Sequence, residues 1–217
     1  GTVSDQLVGI TRAIVSGNNN QLTTPGGGTL EVVQGSGNIL IANGAGAVLR
    51  SDSGSNTLEA LNGGDTLFGG SGADILQGGG NDDVLTAGSG ANTLIAYGSA
   101  STLTAGSGAD VLTSSGQNDL LIGGSGNGTL TSYGANSTLV GGAGTSVLIA
   151  SGAGDVLLGG SGQNTLTALG SNETLTGGSG TSTLVGNVNG NTLKAGTGTT
   201  VASYSANNLA LNLVNGT

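Results

Sequence analysis

The 217-residue chain contains no Cys, no His, no Trp and no Met, and it has only one Pro, one Phe and three Tyr. Without Cys there is no disulfide and no thiolate chemistry. Without His the commonest general base and transition-metal ligand is missing. Aromatic residues are too few for an ordinary globular core, so the remaining large apolar side chains must be placed regularly if the chain is to fold. Three basic residues stand against twelve acidic ones. Phosphate binding needs a local excess of Lys or Arg, so nucleic acid and anionic membranes are poor partners, and cations or neutral polymers fit better. No apolar run approaches the roughly 18 residues of a membrane span, so no transmembrane segment is expected, and no basic stretch followed by an apolar one opens the chain. The start at Gly1 rather than Met suggests a fragment or processed product, with any targeting signal elsewhere.

Glycine is what the chain has in excess, at 47 residues. A Gly/Ser/Asn-rich, weakly charged sequence could be a flexible linker, but its leucines argue otherwise. From Leu40 to Leu193 a leucine recurs every nine residues without interruption. A nine-residue interval is not a heptad, and the recurrent Gly-Ser-Gly and Gly-Gly steps would break a helix. Each leucine instead sits in a short Thr-, Ile- or Val-rich segment such as 74–77 (DILQ), 92–95 (NTLI) or 101–104 (STLT). These read as strands of three or four residues, with the leucine pointing inward and its immediate neighbours outward.

Two such strands and two corners make an 18-residue coil, and the two corners differ. Gly-Ser-Gly precedes alternate leucines, as at 70–72, 88–90 and 106–108, whereas on the other side the recurrent glycine lies one place earlier, as at Gly80, Gly98 and Gly116. The predicted fold is an all-β parallel β-solenoid with 18-residue coils and two short strands per coil. Leu40 to Leu193 spans about eight and a half coils, a rod about 40 Å long at ~4.8 Å per rung.

A 36-residue rhythm overlies the coils. The residues just before the leucines run as two apolar positions and then two threonines, as in Ile75, Val84, Thr93 and Thr102. Tyr97 and Tyr133 are 36 apart, and Leu61 and Leu169 hold equivalent places. The plain reading of these four is lateral packing at a corner, and aromatic ligand contact is the alternative. At the ends, Leu30 stands one place out of register and Ala202 replaces the next leucine. We expect an irregular N-terminal coil or cap over 1–35, repeats over 36–196 and a C-terminal capping strand over 197–217, because terminal rungs must hide their edges.

The segment 69–77, GGSGADILQ, matches every position of G-G-x-G-x-D-x-U-x, where U is apolar, and 105–113 misses only the first Gly. In these positions the chain resembles the RTX, or hemolysin-type, calcium-binding nonapeptide repeats. The resemblance implies a parallel β-roll with calcium held between stacked corners by the motif Asp and backbone carbonyls. It also implies secretion, commonly through a type I system, and folding triggered by extracellular calcium. The period extends over roughly 36–196, but the ligand pattern is patchy. Asp stands two places before the periodic leucine only at Asp65, Asp74, Asp83, Asp110, Asp119 and Asp155; elsewhere Asn, Ser, Gly, Ala or Glu replaces it.

Calcium takes several oxygen donors, normally including carboxylates. Stacking brings together residues 18 apart, so the only Asp/Asp neighbours in this column are Asp65 and Asp83. They form the preferred calcium site, with Asp82 and corner carbonyls as helpers. Asp74, Asp110, Asp119 and Asp155 face Asn or Ser, so their structural reading is hydrogen bonding to turn N–H groups. Asn at this position can both donate and accept, which would let adjacent corners satisfy one another without metal.

Catalysis by paired carboxylates needs a cleft, and no inserted loop between Leu40 and Leu193 offers walls for one. The chain reads as a non-enzymatic scaffold or adhesin-like segment of a secreted or bacterial cell-surface protein. Its expected partners are calcium, neighbouring repeat domains, another solenoid or an extracellular polysaccharide. Thr-x-Thr strands such as 102–104 and 129–131 leave an ice-binding solenoid as a further alternative.

Overall fold

The computed structural model describes residues 4–6 and 11–204. These form twenty-three short strands, from Ser4–Gln6 to Thr200–Tyr204, with no helix among the described residues. Alternate strands belong to alternate sheets: twelve lie in one (sheet 1) and eleven in the other (sheet 2). All pairings are parallel, and each strand pairs with the one that precedes it by two in the chain. This is the β-solenoid that the nine-residue period predicts, with one coil contributing one strand to each sheet.

The register explains why the period is so strict. Leu94 pairs with Leu76 and Leu112 in sheet 1, and Leu85 pairs with Leu67 and Leu103 in sheet 2. All eighteen periodic leucines are buried. A one-residue slip would turn a leucine to solvent, so the pattern fixes the register of every rung. The N-terminal coils depart from it. Ser4 pairs with Gln21, Leu30 pairs with Leu49, and the pairing of Arg12–Ser16 with Thr29–Gln34 shifts register between Val15 and Ser16. At the other end Thr200–Tyr204 pairs with Thr181–Gly186, and Ala202 occupies the leucine position opposite Leu184. The alternating tail expected to continue to 214 lies, beyond Tyr204, outside the described residues.

Two residues flank each leucine on the inner face. The one two places later is small, as in Ala60, Gly78, Ala96 and Ser114, and the one two places earlier is polar, as in Asn56, Asp74, Asn92 and Asp110. The small residue makes room for the polar one at the next corner. A Cβ on Gly78 would lie 2.6 Å from an oxygen of Asp83. The cross-section is therefore a leucine layer with a buried polar column along each side.

Glycine lets both corners stack closely, and one of them adds a left-handed step. In the Gly-Ser-Gly corner leading into sheet 1, a Cβ on Gly106 would sit 1.7 Å from the carbonyl oxygen of Gly88 in the preceding coil, and one on Gly108 would sit 1.9 Å from that of Gly90. Backbones stack too closely there for any side chain. The corner leading into sheet 2 stacks as closely, a Cβ on Gly134 falling 1.6 Å from the carbonyl oxygen of Gly116. It also has one residue per coil in the left-handed region, at Gly64, Asp82, Ala100, Asn118, Asn136, Gly154 and Asn172. Asn and Asp tolerate this conformation better than other non-glycine residues, which accounts for their frequency in the column.

Candidate metal centre

The polar columns are built from one repeated hydrogen bond. In sheet 1 the backbone N–H of Asn38 donates to Asn56 Oδ1, that of Asn56 to Asp74 Oδ1, that of Asp74 to Asn92 Oδ1 and that of Asn92 to Asp110 Oδ1, all at 2.8–3.0 Å. In sheet 2 the N–H of Ala47 donates to Asp65, that of Asp65 to Asp83, that of Asp83 to Ser101 and that of Ser101 to Asp119. From Asn38 to Asp110 in sheet 1 and from Asp65 to Asp155 in sheet 2, the residue two places before the leucine thus caps the N–H of its equivalent one coil back. Further along sheet 1, Ser146 and Ser182 accept from their own corners, and Asn164 Oδ1 is buried without a partner. Inner corners would otherwise bury unpaired donors, each at a cost of about 1–3 kcal/mol. Asp, Asn and Ser all carry an acceptor oxygen at the required reach, so they interchange in this column. Gly128 has none, and there the backbone compensates: the N–H of Asp110 donates to the carbonyl of Asn127.

The two columns diverge in their second polar atom. Around sheet 1 the corners present carbonyls as well as N–H groups. Asn56 Nδ2 donates to Gly35 O and Ser53 O, Asn92 Nδ2 to Gly90 O, and Asn164 Nδ2 to Gly162 O. Asp110 is satisfied in the opposite sense, because its Oδ2 accepts from the Gly106 N–H at 2.7 Å. In sheet 2 the second oxygens of Asp65, Asp83, Asp119, Asp155 and Glu173 are buried without a hydrogen-bond partner, and Asp74 Oδ2 shares this state in sheet 1. The Nδ2 of Asn191, an amide in the sheet 2 column, is also orphaned.

Burial pushes the carboxyls of Asp65, Asp119 and Asp155 above their ordinary value, and those of Asp74 and Asp83 up to about 6. At Asp83 the neighbouring charge of Asp65 acts in the same direction, a second sign that the two carboxylates adjoin. Glu173 is pushed up to about 8, first by burial and then by Asp155. A buried carboxylate with one free oxygen calls for a proton or a cation.

The predicted site residues separate accordingly. Asp65 and Asp83 lie on adjacent coils, both fully buried, with the N–H of Asp65 on Asp83 Oδ1 and one oxygen of each left free. Asp82 is exposed and left-handed, and its charge adds to burial and to the charge of Asp65 in raising the Asp83 carboxyl. Asp74, Asp110, Asp119 and Asp155 are buried ladder members linked to Asn or Ser, as the spacing predicts. Glu173 was not among the candidates, although its place two before Leu175 marked it. Among the described residues no three acidic side chains converge. Two buried carboxylates on adjacent coils, each with one oxygen free, offer the kind of ligand that calcium, a hard ion taking oxygen donors, prefers.

Tyr97 and Tyr133 are 53% and 60% exposed, so the lateral packing expected of them is not found within the chain.

Residues 50–85, 59–94, 95–130, 133–166, 149–184 and 167–200 each match the RTX calcium-binding nonapeptide repeat (4 copies). No curated protein and no solved structure matches the chain. The matched stretches take in well over half of the sequence, and their inward Asp, stacked corners and 18-residue parallel coils are those described above: the chain belongs to the RTX calcium-binding nonapeptide repeat family.

Proposed function

We propose that this β-roll is a spacer or adhesin-like scaffold within a secreted or bacterial cell-surface protein, able to hold its fold with few calcium ions. Asp65 and Asp83 are its first metal ligands in this reading. The observation that carries it is the side-chain ladder. From Asn38 to Asp110 and from Asp65 to Asp155, Asn, Ser and Asp at successive corners cap the N–H of the coil before, so the neutral corners there need no ion. Calcium, where bound, would supply positive charge to the free oxygens of Asp65 and Asp83 and tie two coils together. A family whose repeat binds calcium, rather than one defined by catalysis, supports a structural role.

Circular dichroism and thermal melting in excess chelator, followed by calcium, test this reading. The expected result is a β spectrum that survives chelation and a melting temperature that rises when calcium is restored. Loss of nearly all β signal in chelator would favour the second reading, a module that folds only on meeting extracellular calcium. The six buried acid oxygens without partners are the observation on that side.

A further inference from the structure

The outward face of sheet 1 carries a pattern that the core does not require. Along the corner that follows its strands, Leu61, Tyr97, Tyr133 and Leu169 protrude, 46–60% exposed, on alternate rungs. The rungs between them carry Gly79, Ser115 and Ser151 at the same place. At the other edge of the face the alternation is reversed. Ile75, Val111 and Val147 share rungs with the small corner residues, and Thr93, Thr129 and Thr165 share rungs with the large ones. At the corner, large and small side chains therefore alternate with a period of two rungs, about 9.6 Å. At the other edge Ile or Val alternates with the more polar Thr, while the column between them, Gln77, Ile95, Thr113, Thr131, Ile149 and Thr167, follows no such alternation. The 36-residue rhythm of the sequence is this alternation at corner and edge. From Ile75 to Asn187 the face holds no charged residue in a chain of net charge −9.

We infer that this face pairs with the same face of a second copy of the chain. A two-fold axis across the rod, midway between the fourth and fifth of eight rungs, sets Tyr97, Tyr133 and Leu169 opposite the small residues of the second copy at positions 151, 115 and 79. The same operation sets each Ile or Val opposite a Thr, so a single patch is complementary to itself, as a two-fold dimer requires. Eight rungs, from Thr57 to Thr183, spaced ~4.8 Å apart and ~13 Å wide from edge to corner, give about 500 Å² of flat face per copy. The pair would bury about 1,000 Å² before surface relief is counted, the size at which specific interfaces begin. Repulsion between the two acidic chains is small across this face, because its one acidic side chain, Glu59, lies on the first of the eight rungs and the two-fold sets the two copies of it at opposite ends. A neutral polymer stacking on aromatic rings fits less well, since two of the four protruding corner residues are leucines.

Sedimentation velocity over a concentration series in calcium buffer tests the pairing, with circular dichroism confirming the fold of each variant. The wild type should be a reversible dimer. The double variant Tyr97→Ser/Tyr133→Ser removes two knobs, and Ser115→Tyr fills the gap between them; all three positions are exposed. Each variant should weaken dimerisation at least tenfold, whereas Thr102→Lys on the outward face of sheet 2 should leave it unchanged. A wild type that stays monomeric at every soluble concentration overturns the inference, as does a dimer that only Thr102→Lys disrupts. A monomer retained instead on an insoluble polysaccharide through Tyr97 and Tyr133 overturns it in favour of a glycan-binding face.

Discussion

The two polar columns inside the rod occupy the same place in the nonapeptide, two residues before the leucine, yet they have different compositions. That of sheet 1 runs Asn38, Asn56, Asp74, Asn92 and Asp110, and that of sheet 2 runs Asp65, Asp83, Ser101, Asp119, Ser137 and Asp155. The reason lies in the corner beneath each. The sheet 1 corner offers carbonyls to which an amide can donate, and the asparagines there use them. In sheet 2 the one amide with a described fate, Asn191, finds no acceptor, and five of the six orphan acid oxygens belong to this column. One repeat thus supports a nearly neutral seam and an acidic seam side by side. The acidic seam is where calcium or protons bear on stability.

The largest expected effect comes from breaking the corners themselves. Gly106→Val places a side chain against the Gly88 carbonyl, where even a Cβ lies at 1.7 Å. Neither backbone can retreat without losing its ladder, so the expected loss is about 3 kcal/mol or more, seen as a fall in the thermal midpoint. A conversion of Gly154 to Asn should be far milder. Its left-handed backbone already suits Asn in the neighbouring coils, at Asn136 and Asn172.

The acidic seam should next reveal itself through pH. In the acidic seam Asp83 and Glu173 have folded-state values of about 6 and 8, and in the other seam Asp74 reaches about 6, all raised by burial above those of an unfolded chain. A raised acid holds its proton more tightly when folded. Its contribution to stability is therefore fully present below about pH 4 and is lost as pH rises, first through about 6 and then through about 8. In chelator the melting temperature should fall between pH 5 and pH 9. Calcium binds the deprotonated form, so its stabilising effect should grow over the same range. A flat chelator profile would show that the two seams do not differ in this way.

A more local test is Asp83→Ser, which places in the acidic seam the residue that Ser101 and Ser137 already use as acceptors. In chelator at pH 8 it should raise stability by about 1 kcal/mol, because a buried carboxylate oxygen without a partner disappears. Calcium should then stabilise the variant less than the wild type. Asp110→Ser in the neutral seam should instead destabilise, since both oxygens of Asp110 are bonded. The smallest expected change is Ala100→Gly. Ala100 alone among the left-handed residues of its column has neither a glycine backbone nor an Asn or Asp side chain. Relief of its strain, less the entropy of an added glycine, should stabilise by about 0.5 kcal/mol.

Much of this was legible in the order of residues. Leucine every nine places specified the inward face, the strand length and the parallel stacking, because only one register buries all eighteen. The residues two places earlier could be listed as ligands or caps from the same period, and Asp65 and Asp83 could be paired because 18 residues make one coil. The backbone of Asp82 was not legible in this way, because a residue beside a motif Asp gives no hint that it is left-handed. The exposure of Tyr97 and Tyr133 was equally hidden, since their 36-residue spacing suits a packed corner as well as a bare one.

By itself the sequence determined the coil, its register and the membership of each column, since these follow from periodicity and the drive to bury leucine. Only the tertiary structure decided which atoms of each column are satisfied. That depends on which backbone groups each stacked corner brings within reach of the column, a matter of backbone direction that Gly, Asn and Asp all permit and that no side-chain pattern records.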